Sequence, residues 1–154
     1  MKKESLSEKK ILPDEASTID LGLRISTYLK PGDIIKITGE LGAGKTTLVR
    51  GLVLGLGGDP AQVHSPTFSI VHEYLCPTGL INHCDFYRLE QGSELDEFGG
   101  AEFFSDNKFY FLEWPERIRL ENLVTSDRLL HVHLEHEADG RSASVFWKNN
   151  SRPF

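Results

Sequence analysis

Cysteine is scarce in this 154-residue chain, which carries only Cys76 and Cys84. If "CPTG" is a hairpin turn that pairs Cys76 with Leu80, Cys84 falls opposite His72. The two sulfurs are then too far apart for a disulfide. Free thiols, with no apolar segment after the charged start "MKKESLSEKK", lead us to expect a cytoplasmic protein. No apolar run approaches the length needed to span a bilayer. An excess of basic charge is missing as well: the formal net charge is −6 and the pI about 5.5. A protein that grips nucleic acid by itself usually carries a basic face, so strong direct binding of RNA or DNA is disfavoured. There is no internal repeat and no low-complexity linker. The length fits one domain with a substantial core. We expect an N-terminal tail over residues 1–12, a single domain over 13–147 and a C-terminal tail over 148–154.

What the chain does have is "GELGAGKTT", Gly39 to Thr47. It fits the phosphate-binding template G-x-x-x-x-G-K-[ST] at every fixed position. Glycines let successive backbone N–H groups turn inward, and the phosphates rest on them and on the positive end of the following helix. Glu40, Leu41, Gly42, Ala43, Gly44, Lys45, Thr46 and Thr47 are therefore the expected nucleotide-binding residues. Lys45 would reach the β- and γ-phosphates, and the Thr46 hydroxyl would ligate Mg2+. The flanks agree. "DIIKITG" reads as a strand, and Leu48, Val49, Leu52, Val53 and Leu56 mark one face of a helix from about Lys45 to Leu56. Gly51 and Gly55, costly inside a helix, point to close packing against a neighbour.

Elsewhere the pattern predicts a helix from Pro13 to Leu29 with Asp14 as its N-cap, ended by "KPGD". A hairpin is predicted over Phe68 to Phe86, short helices over Ser93 to Phe104, and a buried strand at "KFYFLE", Lys108 to Glu113. A second hairpin joins "RLLHVHLEHE" to "RSASVFW" through "ADG". The fold class is α/β: a P-loop NTPase-like mixed sheet, with parallel strands flanked by helices and antiparallel hairpins at its margins.

A P-loop needs further acids to place Mg2+ and the attacking water. Glu113 ends an apolar run and should emerge at the C-terminal end of a strand, where ligands collect in open α/β sheets. Asp85, in "HCDFYR", lies near another strand end. Alternation puts His83 and Asp85 on one face and Cys84 and Phe86 on the other. The plainer readings are a solvated turn acid for Asp85 and a helix N-cap neighbour for Glu113. Guanine selection by N-K-x-D is missing, because Asn107-Lys108 is followed by Phe109 and Tyr110. Asp96 to Gly99 spells D-x-x-G without a convincing strand before it. ATP is the expected nucleotide. His131 and His133 share a strand face that reads as solvated, with no third metal ligand evident.

Four motifs now stand in order: "GELGAGKTT", "SPTF" at Ser65 to Phe68, "HCDFYR" at His83 to Arg88, and "EWPE" at Glu113 to Glu116. From about Ser17 to Glu135 the chain resembles the TsaE (YjeE) family, the ATPase component of bacterial tRNA threonylcarbamoyladenosine synthesis. The resemblance implies slow hydrolysis of ATP to ADP with Mg2+. It implies work with TsaB and TsaD, which modify adenosine 37 of tRNA, so that tRNA is met indirectly through the complex. It carries the P-loop roles to Lys45 and Thr46. It makes Asp85 and Glu113 the acids around Mg2+ and water, Thr67 part of a nucleotide-sensing switch, and Trp114 a neighbour of the site. Pro66 holds Ser65 extended and fixes its own φ, which would present Thr67 reproducibly. The simpler roles are a strand start for "SPTF", a core aromatic for Trp114 and a surface ion pair for Arg88. Two departures from the family pattern are Glu40, where Asp is frequent, and Phe86, where Leu is common.

Two other classes share the P-loop. A small-molecule kinase would bring an Arg-rich lid, to which Arg117 and Arg119 are the nearest approach. A nucleotide sensor would bind ATP without turning it over.

Overall fold

The structure is a computed structural model, and it describes residues 9–64, 70–89, 100–120 and 123–148. Seven strands form one mixed sheet: β1 (Lys10–Leu12), β2 (Ile34–Thr38), β3 (Val71–Cys76), β4 (Gly79–Asp85), β5 (Lys108–Glu113), β6 (Leu129–Glu137) and β7 (Gly140–Trp147). Their spatial order is β1-β7-β6-β2-β5-β4-β3. The central pairs β6/β2, β2/β5 and β5/β4 are parallel. The β6/β7 and β3/β4 hairpins and the β1/β7 pair add antiparallel margins. The expected α/β class and the mixed sheet are both present.

Alternation along the central strands sorts the core into two clusters. Ile35, Ile37, Phe109, Phe111, Leu130 and Val132 face α1 (Glu15–Ser26) and α2 (Lys45–Gly55). Ile34, Cys84, Phe86, Tyr110, Leu112 and Leu129 pack on the opposite face with Phe104, Ile118 and Leu120. Cys84 and Phe86 thus turn away from the helices, as the alternation predicted.

Gly51 and Gly55 of α2 lie against α1, where a Cβ would run into the Ile19 carbonyl and the Ser26 side chain respectively. Gly22 of α1 completes the contact, since its Cβ would lie 2.7 Å from the Leu48 carbonyl oxygen. The close-packing reading of these glycines holds, and the helix backbones carry the contact.

Four boundaries differ from expectation. Lys10–Leu12, assigned to a tail, is a strand, because β7 offers it an open edge to pair with. Helix α1 begins as predicted, with a reciprocal capping box between Asp14 and Ser17. It stops at Ser26 and not near Leu29. There the Ser26 and Thr27 hydroxyls bond back to the Leu23 and Arg24 carbonyls, competing with continued helix. In the first hairpin Cys76 pairs with Gly79, so Cys84 faces Val71 and not His72. The turn holds only Pro77 and Thr78, which draws Gly79, at φ 147°, into the strand. Both cysteines are still free. Of the helices expected over 93–104, a 3-10 turn at Gly100–Phe103 is seen, and the remainder lies outside the described residues.

Candidate nucleotide site

Strand β2 ends at Thr38 and the chain enters the loop that fits the phosphate-binding template. Gly42 and Gly44 have φ of 78° and 104°. That left-handed region is costly for residues with a Cβ. Gly44 caps α2 through its backbone alone, with no side-chain hydrogen bond, so the first turn of the helix presents bare N–H groups. Lys45 is buried at the first position of α2. Its Nζ donates to the carbonyls of Gly39 at 2.6 Å and Glu40 at 2.9 Å, folding back over the loop. Burial pulls the Lys45 pKa down, while Glu113, Asp85 and Glu116 push the other way.

The parallel register sets the two acids side by side. Asp85 and Glu113 are paired residues at the C-terminal ends of β4 and β5, and Ile37 of β2 is paired with Glu113. Both acids are on the α2 side of the sheet, as alternation required. Glu113 is buried; its Oε2 lies 3.5 Å from the Thr46 hydroxyl and 2.6 Å from His83 Nε2. Asp85 is partly buried and accepts from the Tyr87 backbone N–H at 2.9 Å. Burial raises its pKa first; the Tyr87 hydrogen bond opposes this, and the negative charge of Glu113 adds to it. Glu113 does adjoin a cap, since Trp114 is the N-cap of the 3-10 turn Pro115–Arg117, whereas Asp85 is not fully solvated.

Trp114 follows Glu113 with φ 58° and ψ 48°, the one described non-glycine residue at positive φ. That backbone turns the indole over Lys45, whose Nζ is 4.7 Å from the ring centre. Tyr87 packs on Trp114 at 4.9 Å, and the Arg117 guanidinium lies 5.8 Å from the Tyr87 ring centre and 6.0 Å from that of Trp114. Arg117 thus caps an aromatic pair at the rim of the site. Thr67 lies outside the described residues, with the rest of "SPTF".

On the other side of the loop a cavity of about 250 Å³ is lined by Leu12, Pro13, Thr18, Gly44, Thr47 and Arg141, among others. Arg141 braces its wall, with Nε and a terminal nitrogen donating to the Gly42 carbonyl at 3.2 and 3.0 Å. Glu40 and Leu41 are exposed on the outer turn of the loop, and Ala43 is buried beneath it.

The donor set suits Mg2+. The Thr46 hydroxyl and the Asp85 and Glu113 carboxylates are all oxygen ligands, which this hard ion prefers. They stand at the N-terminus of α2, where phosphate oxygens would supply further ligands.

His83 was missed as a site residue; its only signal was the shared face with Asp85. Tyr74 had no signal, because its contact with His83 crosses the hairpin. The cavity was hidden too, since it joins Leu12 and Arg141, remote in sequence. His131 and His133 are not simply solvated. Both bond the Thr38 hydroxyl, at 2.8 and 2.7 Å, and burial of His131 pulls its pKa down to about 4. This trio sits on the sheet face away from the acids.

Comparison with known proteins gives this geometry a family. The profile described as "Threonylcarbamoyl adenosine biosynthesis protein TsaE" matches residues 12–143. The relatives that carry the name "tRNA threonylcarbamoyladenosine biosynthesis protein TsaE" include three from different bacteria. That of Haemophilus influenzae is 35% identical over 152 residues, covering 96% of this chain and 92% of the relative. That of Bacillus subtilis is 36% identical, covering 80% and 74%. That of Aquifex aeolicus is 37% identical, covering 81% and 90%. The crystal structure of Bacillus subtilis YdiB superposes with a TM-score of 0.67 at 25% identity, covering 94% of this chain and 88% of that one. No helix among the described residues is long and apolar enough to cross a membrane. The glycine loop, the paired acids and the mixed sheet that holds them thus belong to a member of the TsaE family of threonylcarbamoyl adenosine biosynthesis proteins.

Proposed function

We propose that this chain is a Mg2+-dependent ATPase that drives turnover of a TsaB–TsaD complex in threonylcarbamoylation of tRNA adenosine 37. The observation that carries the catalytic part is the convergence of Lys45, Thr46, Asp85 and Glu113 at the C-terminal ends of β2, β4 and β5. Phosphoryl transfer asks little covalent chemistry of a protein; positioning and charge do most of the work. The N–H groups of the loop would cradle the phosphates. Lys45 would leave the Gly39 and Glu40 carbonyls for the β- and γ-phosphate oxygens. Thr46, Asp85 and Glu113 would hold Mg2+, which would supply positive charge to offset that of the phosphates. Glu113 would also orient the water that attacks the γ-phosphorus, taking its proton as the bond to ADP breaks.

The cavity beside Thr47 offers room for the nucleoside. ATP is preferred to GTP because Asn107-Lys108, already without the acid of N-K-x-D, stands at the N-terminal end of β5, the opposite end from Glu113. The acidic chain need not grip tRNA, because partners can. Coupling requires that ATP- and ADP-bound forms differ in affinity for TsaB–TsaD, since a ligand shifts an equilibrium only by its differential affinity. Titrating the chain against TsaB–TsaD with ATP, ADP or no nucleotide tests this. Different affinities support the reading, and equal affinities in all three states contradict it.

A further inference from the structure

Glu113 does not stand alone. Its Oε2 meets His83 Nε2 at 2.6 Å, and His83 Nδ1 meets the Tyr74 hydroxyl at 2.9 Å. His83, Glu113 and Tyr74 are 0%, 3% and 4% exposed, so bulk water cannot stand in for any partner. The direction of the first bond follows from chemistry. A carboxylate oxygen accepts, so Nε2 is the ring nitrogen that donates to Glu113. Nδ1 faces the Tyr74 hydroxyl. Burial pushes the Tyr74 pKa up to about 12, which keeps that hydroxyl protonated.

We propose that His83 and Tyr74 are positioning residues for Glu113: they hold its carboxylate through Oε2 at the end of β5, where the same oxygen lies 3.5 Å from the Thr46 hydroxyl. Tyr74 holds the ring, and His83 holds the carboxylate. The arrangement is that of outer groups which orient an inner ligand by hydrogen bonding. His83 touches no nucleotide and is not a catalytic residue. The proposal rests on Glu113 serving hydrolysis as described above.

The test uses the full chain in two ways. Ring-nitrogen NMR of the nucleotide-free protein should show a hydrogen-bonded proton on His83 Nε2, and Tyr74→Phe should disturb the ring signals. An Nε2 without that proton, or a ring indifferent to Tyr74→Phe, overturns the proposal. Steady-state ATP hydrolysis with TsaB–TsaD is the second arm. His83→Leu should lower kcat by roughly tenfold or more, with KM and ADP affinity little changed. His83→Gln, whose amide nitrogen can replace Nε2, should recover most of the loss. Equal loss in both variants at matched folding, or none in His83→Leu, also overturns it. If wild-type and Lys45→Ala hydrolyse ATP equally, the hydrolase reading fails, and the NMR arm alone still decides whether the relay holds Glu113.

Discussion

The Lys45 ammonium lies 4.7 Å from the centre of the Trp114 ring while its protons bond two carbonyls of its own loop. The loop lysine is thus parked, stabilised by the ring face and by Gly39 and Glu40. Phosphates should pull it away from both. Adding Mg2+-ATP is therefore expected to change the fluorescence of Trp114. Trp147, buried in the helix-side core, should be silent. Trp114→Phe should abolish the change, and a response that survives in that variant would contradict the parking.

Glu113→Gln keeps an acceptor for His83 and removes the charge. Removing a general base typically costs 10²–10⁴-fold in rate. Hydrolysis should fall by about 10²-fold or more, while ADP affinity stays near wild type. Single-turnover rates beside equilibrium binding check this. A variant as fast as wild type would remove Glu113 from the chemistry.

Asp85 is held at a raised pKa, chiefly by burial. The sign follows from proton linkage. A carboxylate whose folded pKa is above its unfolded value binds more protons when native, so its ionisation works against folding. This destabilisation is complete above the folded pKa and disappears below the unfolded one. Asp85→Asn should accordingly raise the nucleotide-free Tm at neutral pH, with the gain fading as pH falls through the raised folded pKa. The variant should lose Mg2+-dependent tightening of nucleotide binding. Thermal scans from neutral to acid pH, with and without Mg2+-ADP, provide the measurement.

His131 carries the opposite linkage. Its pKa falls from 6.5 to about 4, first through burial and then through Lys36. The unfolded chain binds the proton more readily, so stability is lost as pH drops below 6.5 and the loss levels off near 4. His131→Gln retains a donor for Thr38 and should flatten that acid slope in Tm scans. An unchanged slope would mean that the ring titrates freely.

Gly51 tests the helix contact. Alanine favours helix, yet its Cβ would strike the Ile19 carbonyl. Gly51→Ala should lose about 1–3 kcal/mol in urea unfolding, against a gain expected from propensity alone.

Much of this was legible in the sequence, for local reasons. The phosphate loop is a contiguous motif, and Lys108–Glu113 is an apolar run ending in an acid, so both could be placed by position alone. Asp14 announced the start of α1 because capping is local, while the reciprocal bond from Ser17 emerged only in the structure. The parts that were not legible depend on pairing. A shift of one residue in the β3/β4 hairpin came from a two-residue turn and a strand glycine. The Tyr74–His83–Glu113 relay crosses three strands. Strand β1 exists only because β7 has an edge to offer, and no property of "KIL" says so.

The central claim is that the site spends ATP on a partner's cycle. Its most direct test is ATP hydrolysis by the purified chain, alone and with TsaB–TsaD, with Lys45→Ala as control. The account predicts low activity alone, a clear rise with the partners, and loss in the variant. Hydrolysis indifferent to TsaB–TsaD, or surviving in Lys45→Ala, would contradict it.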